Sequence, residues 1–139
     1  MRDRVERVIA DARIQLAFRF ISSHESEIES DQVRLTLIPS PPFGESERAE
    51  AFSAELLKID VRPATDAVGN VIAPYEGAGR NPLVIAAHLD TVFPSSVVLQ
   101  LRRDGRILRL PGISDNGAVL GPTSEPVLKV TAMSSSVKP

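Results

Sequence analysis

Pro82-Leu83-Val84-Ile85-Ala86-Ala87-His88-Leu89-Asp90-Thr91 is the stretch on which the fold turns. Pro82–Ala87 is a continuous apolar run, with Glu76-Gly77-Ala78-Gly79 ahead of it. Such a run predicts a strand buried on both faces, as found in the middle of an α/β sheet. It ends on His88, and open α/β sheets bind ligands beyond the carboxyl ends of their strands. If the chain stays extended, His88 and Asp90 point to the same side. An imidazole can then hold Zn²⁺ through one nitrogen while a carboxylate accepts from the other ring N–H. The plainer alternative, a histidine closing a core strand with Asp90 opening a loop, fits the same spacing.

Upstream, three helical segments precede the strands. Val5, Ile9, Ala12, Leu16 and Phe20 recur every three or four residues and predict one amphipathic helix over 3–22. A second helix is expected over 25–37, ended by Pro39-Ser40-Pro41-Pro42-Phe43-Gly44. A third starts near Glu45, whose acidic first turn suits the positive end of the helix dipole, and buries Ala49, Phe52 and Leu56 before stopping near Lys58. Then the period shortens. Val61-Arg62-Pro63 is extended, 66–69 a turn, and 70–75 a strand. His24, between the first two helices, reads as a solvated surface residue.

Downstream, 97–101 and 107–110 flank Asp104-Gly105, a hairpin pair. Gly112-Ile113-Ser114-Asp115-Asn116-Gly117 follows; glycine, aspartate and asparagine together favour a tight turn. A carboxylate there could bridge two cations about 3.5–4 Å apart. Beyond Leu120 the chain turns polar, and 121–139 is expected to be a poorly ordered tail. Helices followed by strands point to an α/β or α+β sandwich.

Composition narrows the function classes. The 139 residues carry a net charge of −2, so nothing in the charge attracts nucleic acid or anionic lipid. There is no cysteine, so a metal must be held by His, Asp or Glu. Aromatics make up only 4%, too few for base or sugar stacking platforms. No segment has the roughly 18 apolar residues of a membrane span. The charged N-terminus does not lead into a signal-peptide core. A cytoplasmic protein is expected, with neither nucleic acid nor membrane as partner.

His88-Leu89-Asp90-Thr91-Val92 followed by Gly112-x-x-Asp115-Asn116-Gly117 resembles the first two metal motifs of the two-zinc exopeptidases and deacylases. That group includes peptidase T, aminoacylase, acetylornithine deacetylase and succinyl-diaminopimelate desuccinylase. Ile38–Glu45 resembles the loop before a helix in these enzymes, and Asp66–Val71 the lead-in to the next strand, so the likeness spans roughly residues 30–120. It implies a three-layer α/β sandwich with a mixed central sheet, of which residues 1–120 would be the N-terminal part. It implies His88 as a terminal zinc ligand, Asp90 as the catalytic-site carboxylate orienting His88, and Asp115 as the ligand bridging two zinc ions. It also implies a cis peptide bond between Asp115 and Asn116, and a peptide or N-acylamino acid as substrate.

The chain departs from that pattern beyond Asp115. The family's site also needs a Glu-Glu pair supplying base and ligand, a further acidic ligand and a distal histidine. Here the only later acid is Glu125, and no histidine follows His88. Three protein ligands normally hold catalytic zinc. The expectation is therefore a truncated member of the family, inactive as this chain and holding at most a partial zinc site. An incomplete sheet would leave an open edge and apolar face, so self-association is expected. Two other readings stay open: a non-enzymatic α/β binding module on the same scaffold, and an unrelated domain in which the motifs coincide.

Overall fold

The computed structural model describes residues 2–74, 84–120 and 131–133. Its helices are α1 (Arg2–Ala10), α2 (Ala12–Ser23), α3 (Glu25–Thr36), α4 (Ser46–Lys58) and α5 (Gly117–Leu120). Its strands are β1 (Ala64–Thr65), β2 (Val71–Ile72), β3 (Ala86–His88), β4 (Arg102–Asp104), β5 (Ile107–Arg109) and β6 (Thr131–Met133). This mixture of helices with small sheets is compatible with the α/β class. Among the described residues no helix is long and apolar enough to cross a membrane.

The single helix expected over 3–22 is two helices. Asp11 has extended backbone (φ −63°, ψ 130°), and its carboxylate accepts from the Arg13 N–H at 2.9 Å. An aspartate that caps the amides ahead of it starts a helix rather than continuing one. The expected apolar stripe stays open, with Val5 53%, Ile9 46% and Leu16 60% exposed. His24 also departs from expectation. It joins α2 to α3 with its ring half-buried and stacked on Phe20, centroids 4.0 Å apart, and Nδ1 2.9 Å from the Phe20 carbonyl. A histidine four residues after an aromatic on one helix shares its face.

α3 and α4 form the buried layer. Leu35 is fully buried, and α4 contributes Ala49, Phe52 and Leu56. Val61, Val71, Ala73, Ala87, Leu89 and Leu120 complete the cluster. Each fully buried Leu, Val or Phe of this kind is worth about 1.5–3 kcal/mol. α4 stops where Asp60 adopts a left-handed conformation (φ 57°), which lets Val61 N–H return to the Leu56 carbonyl at 3.0 Å. The 66–69 turn forms as expected: Asp66 Oδ1 accepts from the amides of Val68 and Asn70 at 3.0 and 2.9 Å. Around it β1 and β2 pair antiparallel, Thr65 opposite Val71.

The larger sheet has the order β1-β2-β6-β3. β2 pairs antiparallel with β6, while β3 runs parallel to it, His88 opposite Met133. β6 lies within the stretch 121–139 expected to be a poorly ordered tail. Polar composition suggests disorder, but a short Thr-Ala-Met segment can pair when two strands offer it open edges. Residues 121–130 and 134–139 of that tail, residues 75–83 and Met1 lie outside the described residues, so the run Pro82–Ala87 is only partly visible. Where it is visible, burial alternates. Ala87 and Leu89 are 4% and 0% exposed, whereas Val84 is 71% exposed. The expectation of two buried faces is overturned: among the described residues only one face of the strand is covered.

The hairpin forms around a tighter centre than expected. β4 and β5 pair Asp104 with Ile107, so Gly105 and Arg106 alone make the loop, with Gly105 at φ 57°. Glycine at the first loop position is what a type II′ hairpin requires. Pairing therefore begins at Arg102–Asp104, and the strand expected over 97–101 is not one. Arg103 pairs with Glu29 and docks the hairpin on α3.

Candidate metal centre

His88 is the last residue of β3, and its ring turns outward while Leu89 behind it is buried. Asp90 lies two residues on. Nδ1 of His88 is 2.9 Å from the Asp90 carbonyl oxygen and 3.2 Å from its carboxylate Oδ1. Neither oxygen can donate, so Nδ1 carries the proton and donates it. That fixes the neutral tautomer and leaves the Nε2 lone pair facing outward. Opposite stands Asp115, whose Oδ1 is 3.1 Å from Nε2 and whose side chain is 88% exposed. The two carboxylates thus sit at opposite ring nitrogens, Asp90 behind and Asp115 in front.

A neutral imidazole lone pair facing a carboxylate is repulsive unless something positive lies between them. In the absence of metal a proton serves. Burial alone would lower the His88 pKa, but the hydrogen bonds to Asp115 and the Asp90 carbonyl, with the charges of both carboxylates, outweigh it and raise the pKa above its ordinary value.

The Asp115 loop is held by α3. Gln32 Nε2 donates to the Ile113 carbonyl at 2.7 Å. Gly112 turns with φ 82°, and a Cβ there would sit 3.0 Å from Thr91 Cγ2. A Cβ on Gly117 would collide with Thr36 Oγ1 and come within 3.0 Å of the Gly112 carbonyl. Both glycines are therefore required for close approach rather than flexibility alone. Leu120 at the end of α5 is 1% exposed and anchors the loop in the core. The Asp115–Asn116 peptide bond is cis, as the resemblance implies.

The His88 loop is held by a second set. Thr91 N–H donates to the Ser40 carbonyl at 2.8 Å, and Ser40 Oγ donates to the Leu89 carbonyl at 2.9 Å. Arg48, only 2% exposed, donates through Nη1 to that carbonyl at 2.8 Å and through Nη2 to those of Thr36 and Ile38. The structure thus brings His88, Asp90 and Asp115 together. Gln32, Thr36, Ser40 and Arg48 hold these loops without any motif that marks that role in the sequence. One indication was there: Arg48 stands one turn before Phe52, on the buried face of α4.

Nitrogen and carboxylate oxygen donors suit zinc. Among the described residues no group of three or more His, Cys, Asp or Glu side chains could hold a metal ion. His88 and Asp115 are a pair of donors, with Asp90 supporting the ring. No family model matches the chain, and no curated protein matches it in sequence.

Proposed function

We propose that His88, Asp90 and Asp115 are the opening part of a two-metal hydrolase site of the zinc exopeptidase and deacylase kind. The observation that supports this best is the His88 ring clamped between two carboxylates, with its Nε2 facing Asp115. His88 and Asp115 would hold zinc, and Asp90 would keep the proton on Nδ1 and raise the basicity of Nε2. Bound zinc would polarise an amide carbonyl and lower the pKa of a water. The three-layer sandwich with a mixed central sheet belongs to the same reading, as do a peptide or N-acylamino acid as substrate class and self-association through the uncovered sheet face.

Among the described residues nothing supplies the carboxylate base that must take the water's proton. The chain is therefore read as binding metal without hydrolysing amides. A non-enzymatic binding module is the second reading, favoured by the pairing of His88 with the Asp90 and Asp115 carboxylates at 3.2 and 3.1 Å. In it, His88 is an imidazolium paired with two carboxylates and has no metal role.

Calorimetry with zinc at neutral pH separates the two. The intact chain is expected to bind at micromolar or tighter affinity, and both His88→Ala and Asp115→Ala to abolish binding. No binding by the intact chain, or unchanged binding in either variant, would overturn the metal reading.

A further inference from the structure

We propose that Arg48 is a positioning residue for the metal-facing pair, setting the backbone between His88 and Asp90 through the Leu89 carbonyl; the inference rests on the metal reading above. A guanidinium at 2% exposure is an expensive way to fill a core. An apolar side chain of similar volume would fill it without taking a charge out of water. Burial does depress the Arg48 pKa to about 10, with the charge of Asp90 opposing the shift. Nε has no hydrogen-bond partner among the described residues, so part of the group's desolvation goes uncompensated.

What the fork supplies in return is registry. It joins the Thr36 and Ile38 carbonyls, at the end of α3, to the carbonyl of the single residue separating His88 from Asp90. Fixing Leu89 O fixes the Leu89–Asp90 peptide plane, and with it the start of the residue whose carbonyl and carboxylate Nδ1 of His88 uses. Thr36, whose carbonyl the fork holds, also carries the Oγ1 against which Gly117 packs. One cation therefore refers both arms of the site to the same end of α3. Lysine could match the charge but not the planar fork.

The test compares the intact chain with Arg48→Met, Arg48→Lys and Phe52→Leu, the last lowering stability from the same helix without touching the clamp. Two properties are read: zinc affinity, and the His88 tautomer in the metal-free chain by long-range ¹H–¹⁵N correlation at a pH above its pKa. Partners behind a metal ligand are typically worth 10–100-fold in metal affinity. Arg48→Met is expected to lose about that much and to release the Nδ1–H tautomer into a mixture. Arg48→Lys should fall between, and Phe52→Leu should leave both readouts at the intact-chain values. If Arg48→Met does not fold, Arg48→Lys against Phe52→Leu makes the same comparison. Unchanged affinity and tautomer in the Arg48 variants, or equal losses in Phe52→Leu, would make Arg48 a structural residue only. If the intact chain binds no zinc, the metal reading fails by itself, and Arg48 stands or falls on the tautomer.

Discussion

Nε2 of His88 stands 3.1 Å from Oδ1 of Asp115, although 27 residues separate them in the chain. Two sets of contacts create the approach. Arg48 and Ser40 hold the backbone that follows β3, while Gln32 and the close packing of Gly117 on Thr36 hold the 112–117 loop. Both originate on α3 or on the segment and helix that follow it. The helical layer thus acts as a jig for two loops on which the donors sit. Loop residues hold a defined geometry when a rigid scaffold positions them.

Asp90→Asn tests the back of the ring. The substitution keeps the Asp90 backbone carbonyl, which accepts from Nδ1, but removes the carboxylate charge 3.2 Å from that nitrogen. Zinc affinity is expected to drop about 10–100-fold, less than the complete loss in His88→Ala. Competition against a chromophoric chelator measures it. An unchanged affinity would show that the backbone carbonyl alone sets the tautomer.

Acidity should act on fold and metal with opposite signs. The folded His88 pKa is raised, so the folded chain holds this proton more tightly than the unfolded chain, whose value is about 6.5. That contribution to stability is fully present below about 6.5 and is lost as pH rises through the folded value. In chelator-treated samples, the melting temperature of the intact chain minus that of His88→Ala should be larger at the acid end of this window than at the alkaline end. Zinc needs Nε2 without its proton, so its affinity should rise across the same window. Calorimetry in buffers of different ionisation enthalpy should detect the released proton. A stability difference that grows with pH would contradict the imidazolium.

Much of the site was legible because its residues obey local rules. The run ending at His88 announced a strand end, the period of two placed Asp90 beside His88, and Gly112 and Gly117 marked a tight loop. The partners were not legible, because a buried arginine among helix-face residues looks like any solvated charge. The carbonyls at the end of α3, together with that of Leu89, give Arg48 a reason to be inside. The fold was readable to the level of element type. Asp11 split the first helix through a capping bond that periodicity does not register. β3 proved half-covered because burial on its second face depends on what packs there, which no single strand encodes.

Gly117→Ala sets two known effects against each other. Alanine is the better helix residue by about 1 kcal/mol, and Gly117 opens α5, so propensity alone predicts stabilisation. Sterics predict the reverse, since the new Cβ meets Thr36 Oγ1 and lies 3.0 Å from the Gly112 carbonyl. Overpacking of a close contact costs about 1–3 kcal/mol, and backbone on one side cannot swing away, so the steric term should win. Removing the hydroxyl in Thr36→Ala also breaks its 2.7 Å bond to the Gln32 carbonyl and should be mildly destabilising alone. Combined, the two changes should cost less than their sum, because the second creates room for the first. Urea unfolding of the four members of this cycle measures the coupling, and zinc titration of the same proteins tells whether Asp115 moved with the loop. Strict additivity would mean that the Gly117–Thr36 contact does not hold the Asp115 loop in place.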